Sequence, residues 1–67
     1  GSNFNTFVNK YRIEAVVEMF DNRAQDKYSL DHIYSKVGFR YQSTFNTAFK
    51  KIMGMTPTEY IQSITLQ

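Results

Sequence analysis

Between Gln42 and Met53, Phe45, Ala48, Phe49 and Ile52 stand at i, i+3, i+4 and i+7, so they form one buried stripe of a helix. Ser43, Asn46, Thr47, Lys50 and Lys51 fall on the other side, leaving a face of hydroxyl, amide and ammonium groups. Upstream, Leu30, Ile33 and Val37 keep the same spacing over a shorter helix from about Leu30 to Lys36. Ser29 is its cap, with His32 rather than Glu at the third helical position, so only half a capping box is present. Gly38 occupies the position after that helix, where a left-handed backbone costs little, and Phe39 follows as an apolar plug. Gly54 closes the longer helix in the same way. Thr56-Pro57-Thr58-Glu59 then starts a last helix, running to about Ile64, with a capping threonine, proline at the first turn and glutamate at the third position. Tyr60, Ile61 and Ile64 are its inward side chains.

The pattern before Leu30 is different. A first helix is expected from about Phe4 to Phe20, capped by Asn3 or Asn5. At 100° per residue its apolar positions make two stripes instead of one. Ile13, Val16, Val17 and Phe20 lie on one side; Phe4, Phe7, Val8, Tyr11, Ala15 and Met19 lie almost opposite. A helix apolar on two sides requires partners on both. Asp21 to Tyr28 is polar and aperiodic and is expected to be a loop, and no strand alternation, repeat or low-complexity tract interrupts the helical reading. The fold class is all-α: a long helix, two short-linked motif helices and a short C-terminal helix.

Charge sharpens this picture. Through residue 34 the chain carries Lys10, Arg12, Arg23 and Lys27 against Glu14, Glu18, Asp21, Asp26 and Asp31; from residue 35 it carries Lys36, Arg40, Lys50 and Lys51 against Glu59 alone. The positive charge therefore gathers on and beside the Gln42–Met53 helix, as a polyanion ligand requires. The alternative is a solvated helix face. With 67 residues the chain is one small domain, and Gly1-Ser2 read as a cloning remnant. It has no cysteine, which excludes disulfides and thiolate metal sites and suits a reducing compartment. Nothing in the sequence is long and apolar enough to span a membrane, so no membrane contact is expected of this segment.

Other chemistry finds no candidates. His32 is the sole histidine, without the companions a metal site needs, and it reads as a surface side chain; no cofactor is expected. Asp31 beside it suits the dipole of its helix. No phosphate loop, nucleophile elbow or carboxylate pair occurs, so an enzyme is not expected.

Ile33, Val37-Gly38-Phe39, Ser43-Thr44-Phe45, Phe49-Lys50-Lys51 and Gly54-x-Thr56-Pro57-x-x-Tyr60 together resemble the signature of AraC/XylS-type bacterial transcription regulators. Asn9-x-Tyr11-Arg12-Ile13 resembles the linker helix of that family. The resemblance implies an all-α DNA-binding domain in which one long helix joins two helix-turn-helix units. Residues 3–67 match the linker helix and the second unit only, so the first unit is expected to be absent and its place to be marked by a bare Phe4, Val8 and Tyr11. By the family's pattern Gln42, Ser43, Asn46 and Thr47 align with base-contacting positions in the major groove of double-stranded DNA. Arg40, Thr44, Lys50 and Lys51 align with phosphate contacts. A cytoplasmic location is implied.

Three positions depart from the pattern. Tyr34 replaces a common alanine, so its ring is expected to lean to the edge with the hydroxyl in water, or else to push the helices apart. Val16 replaces another frequent alanine. Tyr41 stands where a capping serine is usual, which leaves Ser43 as the substitute cap. A second reading of the whole chain is a small helical interaction or dimerisation module that docks another helix, or another copy, on the Phe4/Val8/Tyr11 stripe.

Overall fold

A computed structural model describes residues 4–65; Gly1, Ser2 and Asn3, and with them the proposed remnant and one of the two proposed caps, lie outside the described residues. Four α-helices follow in order: α1 (Phe4–Asp21), α2 (Leu30–Lys36), α3 (Gln42–Met53) and α4 (Pro57–Thr65). Asn5, the other proposed cap, lies inside α1. The segment expected to be loop contains a 3-10 turn, Ala24–Asp26. Arg23 enters it with a left-handed backbone (φ 64°), and its guanidinium holds Asp26 at 2.9 Å across the turn. Pairing between close neighbours makes this turn without any hydrophobic period to announce it.

The apolar stripes converge on one core. Ile13, Val16 and Phe20 of α1, Ile33 and Tyr34 of α2, Phe39, and Phe45, Ala48 and Phe49 of α3 are buried together. Phe45 sits at the centre, with ring centroids 5.1 Å from Tyr34, 5.5 Å from Phe39 and 5.8 Å from Phe49. Phe49 continues the chain of rings to Phe20 and Tyr60, each at 5.9 Å. Burying one such ring contributes about 2 kcal/mol, and a well-placed aromatic pair about 1 kcal/mol more, so these rings dominate the stability of a chain this short. Tyr60, Ile61 and Ile64 of α4 close over the end of the core.

Two expectations need correction. Tyr34 does not lean to the edge: it is buried and stacks on Phe45 at a 26° tilt. The ring takes the place of the expected alanine by lying flat against a neighbour, and burial, then the nearby Asp31 charge, push its phenol pKa up. Met19, assigned by spacing to the outer stripe of α1, packs against the core instead, because its long flexible side chain reaches around the helix.

The helix ends are built as their sequences dictate. Ser29 Oγ accepts from His32 N–H at 3.2 Å and starts α2. At its other end Gly38 N–H donates to Ser35 C=O and Phe39 N–H to Tyr34 C=O (3.1 and 3.0 Å), the paired bonds of a Schellman stop. Gly38 has φ 111°, and a Cβ there would meet Arg12 Nε at 3.0 Å. The Arg12 guanidinium lies 5.6 Å from the Phe39 ring centroid, so α1 clamps the turn between α2 and α3. At α4 the full capping box forms: Thr56 N–H donates to Glu59 Oε1 at 2.9 Å, and Glu59 N–H donates to Thr56 Oγ1 at 3.1 Å.

Candidate nucleic-acid interface

Helix α3 presents its polar side to solvent because its apolar side is consumed by the core. Ser43, Thr47 and Lys50 project opposite Phe45 and Phe49, and all three are exposed. Gln42, Thr44 and Lys51 are also exposed; Asn46 is half-buried on the flank nearer α4. Arg40 and Tyr41, just before the helix, are exposed, Tyr41 at 63% of its surface. The eight residues singled out by sequence thus gather on one helix and its approach.

Shape adds to this arrangement. An open concavity of about 400 Å³ lies between α1 and α3, lined by Asn9, Ser43, Thr44, Thr47, Ala48 and Lys51. A second, of about 430 Å³, runs along the other flank towards the start of α4, lined by Asn46, Thr47, Lys50, Lys51 and Thr56. Thr47 and Lys51 line both, so α3 stands as a ridge between two open hollows. A ridge of one helix's width has the dimension that the major groove of B-DNA admits.

The start of α3 is electrostatically open. Tyr41 is its N-cap (φ −126°, ψ 143°) but its side chain makes no capping bond, and the first turn holds no carboxylate. The expected substitution of Ser43 as cap does not occur: the helix begins at Gln42, and Ser43 is already inside it. Among the described residues the backbone N–H groups of that first turn have no side-chain acceptor, and with the helix dipole they favour an anion. Lys50 and Lys51 occupy the last turn, where they complement the opposite end of the dipole and also add positive charge to the exposed face.

His32 is exposed and stacks on Tyr28, with ring centroids 4.6 Å apart. No cluster of three metal-binding side chains occurs among the described residues. No helix among them is long and apolar enough to cross a membrane. Sequence reasoning missed Asn9. It stands one turn before Ile13 on α1 and lines the hollow beside α3; its place in the linker-helix resemblance gave it no site role.

Two helices joined by a tight glycine turn, the second displaying a polar, positively charged ridge, define a helix-turn-helix module that binds DNA. The model of a helix-turn-helix domain of the AraC type matches residues 1–63, nearly the whole chain. The protein belongs to the AraC/XylS family of helix-turn-helix domains, a family that is not enzymatic. No curated protein and no solved structure matches it.

Proposed function

We propose that this chain is the second helix-turn-helix unit, with its linker helix, of a cytoplasmic bacterial transcription regulator, and that it reads operator sequence by placing α3 in the major groove. The observation that carries this reading is the exposed ridge of Ser43, Thr47 and Lys50 flanked by two open hollows. Gln42 and Asn46 carry amides suited to the N6 and N7 edge of adenine, while Ser43 and Thr47 make less discriminating contacts. Arg40, Thr44, Lys50 and Lys51, with the open N–H groups of α3, hold phosphates and set the register.

Selection from a random duplex pool tests these roles. Gln42→Ala and Asn46→Ala should each relax preference at a single position, by about 1–3 kcal/mol if the lost pairing is bidentate. Lys50→Ala should weaken binding to all sequences alike and flatten the salt dependence by about 0.9 in log–log slope. If neither kind of substitution alters binding, the assignment is wrong.

A second surface favours a partner. Phe4, Phe7 and Tyr11 on the outer side of α1 are 79%, 69% and 70% exposed, whereas Val8, expected to be bare with Phe4 and Tyr11, is half-buried. This stripe is the seat of the first helix-turn-helix unit in the regulator reading. It would instead hold another helix or a second copy if the chain were an interaction module. Self-association lost in Phe4→Asp, in a protein whose spectra DNA leaves unchanged, would favour the latter.

A further inference from the structure

We infer that α1 takes part in DNA binding through Asn9, which forms the far wall of a phosphate cradle opposite Thr44 and Lys51; the inference rests on the reading of α3 as a groove-inserted helix. Ile13, Val16 and Phe20 show which side of α1 faces the interior. One turn earlier on that line the side chain is Asn9, and one turn earlier again Thr6. The inner line of α1 thus turns from aliphatic to hydrogen-bonding where it leaves the core and runs beside the exposed part of α3.

Asn9 is half-buried, and it lines the hollow it shares with Ser43, Thr44, Thr47 and Lys51. The hollow continues as a narrower cleft of about 60 Å³ between Thr6, Asn9, Ala48, Lys51 and Ile52. The small Ala48 side chain keeps the floor low. No carboxylate lines either space, and Lys51 contributes positive charge to both. A hydroxyl, an amide and an ammonium around an open hollow match the chemistry of a phosphodiester oxygen. When α3 enters the major groove, one strand runs along this flank, and Asn9 meets it from the α1 side. The outer face of α1 differs: the hollow there is lined by Phe7, Lys10, Tyr11 and Glu14, where the Glu14 carboxylate offsets the charge of Lys10.

The experiment measures binding of the full chain to a mixed-sequence DNA duplex over a salt series, with each variant's melting temperature recorded. Asn9→Lys should tighten binding and steepen the log–log salt slope by about 0.9, one added phosphate contact. Asn9→Asp should weaken binding to all sequences. Asn22→Lys adds the same charge just past the far end of α1, about 20 Å away, beyond the reach of unscreened attraction, and should leave the slope unchanged. As a readout independent of charge, the side-chain amide resonances of Asn9 should shift on adding duplex. If Lys50→Ala weakens binding while both Asn9 variants match the parent and the amide stays still, the α1 contact is refuted and the groove reading stands. If Lys50→Ala and the Asn9 variants all match the parent, both are refuted. Equal slope changes from Asn9→Lys and Asn22→Lys, with the Asn9 amide unmoved, also overturn the inference, since they reduce it to bulk charge.

Discussion

Thr56 and Glu59 exchange two hydrogen bonds across one turn, and each end of that exchange has a separate experimental signature. Thr56→Ala removes the acceptor for Glu59 N–H and should cost about 1 kcal/mol in thermal or denaturant unfolding. The bonds from Thr56, first its backbone N–H and then its hydroxyl, hold the Glu59 carboxyl below the usual glutamate range. A carboxyl lowered on folding stabilises fully above its unfolded pKa, and that contribution disappears as pH falls through the lowered folded value. Melting temperatures across an acid pH series should therefore drop less steeply in Glu59→Gln than in the parent; parallel curves would contradict the coupling. This box was legible in the sequence because both partners lie within three residues. Ser29 and Gly38 were legible for the same reason. Tyr41 was not: what caps α3 depends on where the chain enters after Phe39, and the backbone begins the helix there without help from Ser43.

At the scale of elements, the joints between helices carry the geometry of the exposed α3 ridge. Gly38 and Gly54 both have positive φ, 111° and 80°, but their surroundings differ. A Cβ on Gly54 meets open space, whereas one on Gly38 meets the Arg12 guanidinium. Gly54→Ala should cost about 1 kcal/mol from the backbone alone. Gly38→Ala should cost more, because moving Arg12 aside also loosens its stacking on Phe39. Equal costs in denaturant unfolding would show that Arg12 does not clamp the turn. Helix α4 is joined to the end of α1 by Tyr60, whose hydroxyl donates to Asp21 Oδ1 at 2.7 Å. That bond, followed by burial, raises the tyrosine pKa. A phenol raised on folding stabilises fully below its unfolded value and loses that contribution as pH climbs through the raised one. Tyr60→Phe should cost about 1 kcal/mol at neutral pH and should be less sensitive to alkali in melts above the ordinary tyrosine range. Hydrophobic period located every helix, but these joints pair residues far apart in the chain. The Tyr60–Asp21 bond, the burial of Tyr34 and the place of Asn9 beside α3 follow from packing, which no local pattern encodes.

The whole molecule is elongated, 36 × 21 × 19 Å, around a core set beneath α3. Its two notable surfaces lie on different sides of α1: the polar ridge and hollows on the inner side, the Phe4/Phe7/Tyr11 stripe on the outer. The double stripe in the sequence foretold this division, because a helix cannot turn both faces into one small core. Phe4→Asp with Phe7→Asp should leave the melting temperature within about 0.5 kcal/mol equivalent of the parent and reduce self-association in sedimentation. A large loss of stability would mean that the stripe is packed within the single chain. In the proposed function the outward side of α3 meets a duplex, and amide NMR during titration with DNA tests that contact most directly. Shifts should concentrate on Gln42, Ser43, Asn46, Thr47 and Lys50, with the resonances of Phe4, Phe7 and Tyr11 unmoved. Shifts confined to the aromatic stripe, or none at saturating duplex, would contradict it.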